Sequence, residues 1–355
     1  MKIGNWQLRI PAVLALALGP GVAGCVKPPA VPWRAAKKAL VWPLPPDPPR
    51  IRYEGSITAG QALRYAKSTS FAWLDFLVGS PEVRLQTPHG ISVDATTLAV
   101  ADSGAATIQM LHLVARRYRV IEDAGRTRLL CPIGAAPDGA GGVFLSDSVL
   151  ARVFHFSAAG RLDGEIRGEF VRPTGLAYDA ARRVLHVVDT GSHSVSSFQE
   201  QGGSWSLLRK LGQRGEGQGP VFNFPTHAAL DRDGNLYVAD SLNFRVRIFS
   251  PDGSLAGMFG RAGDGTGDFS KAKGIAVDSE GHIYVVDSQY DVVQIFSREG
   301  RFLLSFGGSG RDEGSLWLPT GIFIDGQDRI YVSDSGNSRI QVYQYLREQR
   351  ESVGE

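Results

Sequence analysis

Six times along the chain a short apolar run ends in Asp followed by Ser or Thr. The runs are Ala99-Val-Ala-Asp102, Phe144-Leu-Ser-Asp147, Val187-Val-Asp189, Tyr237-Val-Ala-Asp240, Tyr284-Val-Val-Asp287 and Tyr331-Val-Ser-Asp334. Successive Asp residues stand 45, 42, 51, 47 and 47 positions apart. Six residues after each Asp comes a β-branched side chain: Ile108, Val153, Val195, Val246, Val293 and Ile340. Nine residues after it comes a large apolar one: Leu111, Phe156, Phe198, Phe249, Phe296 and Tyr343. Their separation of three puts the two on opposite faces of a strand, so that strand is buried on both sides. Upstream of the Asp runs lies another short strand, introduced by Pro in Pro88-His-Gly-Ile, Pro173-Thr-Gly-Leu and Pro319-Thr-Gly-Ile. Turn signals such as Asp233-Gly-Asn and Glu280-Gly-His separate the first strand of a unit from the second.

Most units then continue into a fourth strand: Arg117–Ile121, Gly160–Ile166, Trp205–Leu211, Ser254–Phe259 and Arg301–Phe306. Six units of four strands at this period predict an all-β, six-bladed β-propeller. The sixth unit has only a charged tail after Leu346, which would leave an open sheet edge. The spare segment Arg50–Ile57 has a strand's alternation, and we expect it to pair with the sixth blade and close the ring.

The stretch Phe224-Pro-Thr-His-Ala-Ala-Leu-Asp, continuing to Phe249, resembles an NHL repeat, and Pro319 to Tyr343 resembles another. The resemblance extends over residues 88–343. It implies that the repeated Asp102, Asp147, Asp189, Asp240, Asp287 and Asp334, with Arg152, Arg245 and Arg339, staple blades rather than react.

The N-terminus reads as an address. Lys2 and Arg9 precede an apolar run over residues 11–18, then small residues and Cys25, a pattern for export and too short for a membrane span. Val22-Ala-Gly-Cys25 resembles a bacterial lipobox, which implies a lipidated Cys25, and Val26 in place of Asp implies the outer membrane of a Gram-negative envelope. The expected organisation is a signal peptide over 1–24, the lipidated cysteine and a proline-rich tether over 25–50, the propeller over 51–346 and a tail over 347–355. Eight prolines in residues 26–50 favour extended geometry, as a tether or in part as a strap on the domain. Residues 60–87 lie outside the repeat, and Ser70–Val78 is expected to pack as a short helix on the propeller.

Composition adds little. Forty-three Gly and 19 Pro in 355 residues suit many turns, and a net charge of +2 gives no reason to expect a nucleic-acid partner. Cys131, in an apolar context, reads as an inert thiol.

Propellers bind ligands at the mouth of the central channel, so the residues that begin each first strand are the ones to inspect: His89, Ile133, Thr174, Thr226, Lys273 and Thr320. Among proteins of NHL type, the peptidyl-hydroxyglycine amidating lyases hold zinc with three His, each in a Pro-His context, and here only Pro88-His89 matches. His227 stands one position further on, and strand alternation would turn it to the opposite face. One matching His does not make a zinc site, which needs about three ligands, and the six positions hold no Asp, Glu or Asn for a calcium of lactonase type. No cofactor is expected. The sequence therefore points to a non-enzymatic protein-binding scaffold, tethered to the membrane through its lipid and partnered by envelope proteins. The alternative is a metal-dependent lyase or hydrolase with a divalent metal in the channel.

Overall fold

The computed structural model describes residues 31–66, 84–217 and 219–347. Cys25, the signal segment, Ser70–Val78 and most of the charged tail lie outside the described residues. Five blades are four-stranded antiparallel sheets that run in chain order from the channel outward. Blade 1 comprises Pro88–Val93, Thr97–Asp102, Thr107–His112 and Arg117–Ile121. Blades 2 to 5 begin with Pro132–Pro137, Pro173–Asp179, Pro225–Leu230 and Ala272–Val277. Blade 6 takes three strands from Pro319–Ile324, Arg329–Asp334 and Arg339–Tyr345. Its fourth is the N-terminal strand Ile51–Ile57, in antiparallel register with Ile57 opposite Ile340 and Ile51 opposite Tyr345. The ring is thus closed as the sequence pattern predicts.

Alternation explains this closure. Ile51, Tyr53 and Ile57 are buried while Arg52 is exposed, so one face of the strand completes the blade and the other meets water. Tyr53 and Tyr343 meet edge to face at 5.3 Å between ring centres, and Trp42 joins them at 5.8 Å from Tyr343.

Trp42 belongs to a segment that departs from a free tether. Arg34–Ala35 and Val41–Trp42 both pair with the N-terminal strand, outside blade 6. Ala36, Leu40 and Trp42 pack on the core beneath, and the Lys37 amide donates to Glu313 at 2.9 Å. The strap arrangement therefore holds for the described part of the proline-rich stretch. The reason is the exposed edge of Ile51–Ile57, which offers backbone groups that a neighbouring extended chain can satisfy.

Between the ring-closing strand and blade 1 lies the helix Ala59–Ala66. Thr58 and Gln61 cap it reciprocally, with the Gln61 side chain accepting from the Thr58 amide at 2.8 Å. Among the described residues no helix is long and apolar enough to cross a membrane.

Candidate functional site: the central channel

The repeated Asp side chains are buried at the end of each second strand, 0–1% exposed. Each accepts hydrogen bonds from backbone amides of the loop that leads into its own blade. Asp147, for example, takes those of Leu130 and Cys131, and also those of Val149 and Leu150 in the turn that follows it, at 2.7–3.1 Å. In four blades the hydroxyl that follows reaches the next blade: Ser148 donates to the Pro173 carbonyl, Thr190 to Pro225, Ser241 to Ala272 and Ser335 to Pro88, whereas Ser103 donates to Thr87 of its own blade. The Asp-Ser/Thr pair thus ties one blade internally and to its neighbour.

Arg245 and Arg339 join this system, at 2.9 Å from Asp240 and 2.7 Å from Asp334. Arg152 does not. It faces Glu165 at 3.7 Å on the outer strand of blade 2, because backbone amides already occupy Asp147. An arginine not foreseen, Arg247, is fully buried beside Asp240 and donates to the Gly217 and Gly219 carbonyls.

At the channel Ile133 is apolar, and the five polar strand-start residues divide into two chemistries. Thr174 donates to the Thr226 carbonyl at 2.8 Å, Thr226 to the Lys273 carbonyl at 2.9 Å and Thr320 to the Pro88 carbonyl at 3.1 Å. These three threonines bind neighbouring blades together. His89 and Lys273, at the same place in blades 1 and 5, make no such bond, and among the described residues neither side chain has a hydrogen-bond or ion-pair partner.

Next along the strand, five blades carry glycine: Gly90, Gly134, Gly175, Gly274 and Gly321. Adjacent first strands crowd there, and a Cβ on Gly134 would stand 2.0 Å from the Thr174 carbonyl oxygen. Blade 4 alone has a side chain at this place, His227, and it lines the channel. The expectation that His227 turns away is therefore corrected. In every blade the pairing of first and second strands shifts register just after the strand start, a β-bulge that breaks strict alternation.

Below His227 is a cavity of about 220 Å³ lined mostly by apolar side chains, including Ile91, Leu176, Leu230, Ile275, Ile322 and Phe323. It continues past Tyr178, Val277 and Ile324 to the far mouth, where Asp179, Asp231, Asp278 and Asp325 hold the turns between first and second strands. Those carboxylates are taken up by turn amides, as when Asp278 accepts from Glu280 and His282 at 2.9 Å.

Both ring nitrogens of His227 are shielded from solvent and meet no partner with hydrogen-bond geometry. The backbone of Lys273 lies close by, but its carbonyl is engaged by Thr226. An unpaired buried polar group of this kind costs about 1–3 kcal/mol. Burial, with the charges of His89 and Lys273 added, lowers the His227 pKa to about 3. Burial and Lys273 together lower His89 to about 4, and burial lowers Lys273 itself. The unfolded chain therefore binds more protons than the folded one between about pH 6.5 and 3, and stability falls as pH drops through that window. We expect melting temperature to fall less steeply between pH 6.5 and 4 in His227→Gly than in the wild type. Equal slopes would show that His227 does not carry the effect.

Around the mouth nearer His89 the loops expose apolar side chains. Leu130, Val149, Val171, Leu242, Tyr290, Trp317 and Leu318 come from five blades and are 37–64% exposed. All lie in loops before first strands or in turns after second strands, hence on one face.

An NHL-repeat model matches residues 222–249 and 316–343. No curated protein matches the sequence. Solved structures similar to the chain include a streptogramin B lyase, at 11% identity and TM-score 0.57, covering 75% of this chain and 96% of that one. A gluconolactonase from Xanthomonas campestris is 17% identical with TM-score 0.55, over 88% of this chain and 99% of that one. A calcium-binding regucalcin from Agrobacterium tumefaciens is 14% identical with TM-score 0.53, over 75% and 92%. At such identities the likeness is one of fold, and the chain is a six-bladed β-propeller carrying NHL repeats.

Proposed function

We propose that the chain is a non-enzymatic binding propeller, exported and held to the outer membrane through a lipid on Cys25, that docks an envelope protein on the face around the His89 mouth. The exposed apolar side chains shared by five blades on that face carry this reading. Exposed apolar groups gathered on one face favour an interaction surface, and Trp317 and Tyr290 are of the types that anchor interfaces. The competing reading, a metal-dependent lyase or hydrolase, has structural neighbours named as a lyase and a lactonase in its favour. Its site is less well provided. Among the described residues no group of three or more His, Cys, Asp or Glu is placed to hold a metal, and the unpaired Lys273 beside the two imidazoles repels a cation.

The test is crosslinked capture from envelopes with the wild type and with Leu242→Asp/Leu318→Asp. We expect an envelope protein recovered with the wild type to be lost with the variant, at unchanged melting temperature, because both positions are surface sites. Equal recovery with both would overturn the assignment of this face.

A further inference from the structure

Repetition separates architecture from chemistry in this channel. Three blades carry Thr at the strand start and five carry Gly after it, residues explained by contact with the next blade, while blade 2 has the apolar Ile133 at its strand start. His89, Lys273 and His227 replace that solution in blades 1, 5 and 4, and none has a hydrogen-bond partner for its side chain among the described residues. They are close enough for Lys273 to act electrostatically on both imidazoles and His89 on His227, and no carboxylate contributes to the field at any of the three. Of these three basic groups His227 lines the upper end of a cavity whose wall is apolar, and His89 and Lys273 stand on the first strands just before the lining residues Gly90 and Ile275.

We propose that His89, His227 and Lys273 hold the carboxylate of a small apolar acid, whose hydrocarbon body lies against Ile91, Leu176, Leu230, Ile275, Ile322 and Phe323. A pocket of apolar wall with a few convergent polar groups is the ordinary form of a small-molecule site. Lys273 supplies charge, and the imidazoles supply N–H donors to the carboxylate oxygens. The nitrogens of His227 are covered in this structure, so its ring turns about the side-chain torsions to meet the ligand.

An anion beside the imidazoles favours their charged forms, which burial otherwise disfavours. Binding thus takes up protons and tightens as pH falls from 7 towards 5. The titratable groups facing His227 are His89 and Lys273 from neighbouring blades, with Tyr178 further down the cavity. The carboxylates of the far mouth remain engaged by their turn amides.

The probe is octanoate, titrated calorimetrically into the purified chain at pH 6, with octanol as the same body without the charge. We expect saturable binding at one site and at least tenfold weaker binding of octanol. Three variants install what sister blades carry at the same place: His227→Gly, His89→Thr and Lys273→Thr. Each is expected to fold and to weaken octanoate at least tenfold. Failure of octanoate to saturate the wild type, equal affinity for octanol, or unchanged affinity in both His227→Gly and Lys273→Thr would overturn the proposal. So would stoichiometric zinc binding from zinc chloride by a chain that does not take octanoate. The site lies inside the ring and not on the apolar face, so this result and the capture result stand or fall separately.

Discussion

Asp240→Ala is expected to destabilise the propeller by roughly 3–5 kcal/mol, the loss seen when one partner of a buried ion pair is removed. Asp240 accepts from the Asn223 amide at 2.7 Å, from Asn243 at 2.8 Å, and from Arg245 and Arg247 at 2.9 and 3.2 Å. Arg247 is fully buried, and its burial already lowers its pKa. Without Asp240 its charge keeps the carbonyls of Gly217 and Gly219 and the face of the Phe222 ring, and no anion. The Asp147→Ala change makes the comparison, because Asp147 accepts from backbone amides and has no arginine in contact. Its loss should be smaller by at least 1 kcal/mol, the difference between leaving amides unpaired and leaving a charge unpaired. Denaturant midpoints at constant slope measure both, and equal losses would mean that the buried cation is not what makes Asp240 special.

The second large effect is expected from removing the ring closure. A chain beginning at residue 58 lacks Ile51, Tyr53 and Ile57, each 0–3% exposed, and uncovers Val342 and Tyr343. It also frees the edge of Arg339–Tyr345 to pair with another molecule. Such a chain should aggregate or sediment as oligomers, with loss of near-ultraviolet circular dichroism. A monomer with unchanged melting temperature would show that blade 6 stands without its outer strand.

The fold was legible because a propeller repeats its architecture. One Asp at a fixed offset in six units is a pattern that no single unit could establish. A second series, Asp94, Asp138, Asp179, Asp231, Asp278 and Asp325, runs in step with the first and caps the turns at the far mouth. It passed unread because it sits in turns, where Asp is common for local reasons. Arg247 could have been found by its offset from Asp240, where Gln109, Gln294 and Gln341 stand in sister blades. His227 could have been found as the break in Pro-x-Gly. It was instead assigned to the wrong side by strand alternation, which the β-bulge invalidates. The choice between tether and strap was not legible, since nothing in a proline-rich stretch says whether a free sheet edge awaits it.

That strap sets a length. From Cys25 to Arg34, where pairing with the disc begins, is nine residues, which span at most ~30 Å when fully extended. A leash running free to Ile51 would have 26 residues and a reach of ~90 Å. With a lipid on Cys25, the edge of blade 6 would therefore ride within about one bilayer thickness of the membrane surface. A partner would have to come to that surface, because the disc could not swing out to meet one across the compartment.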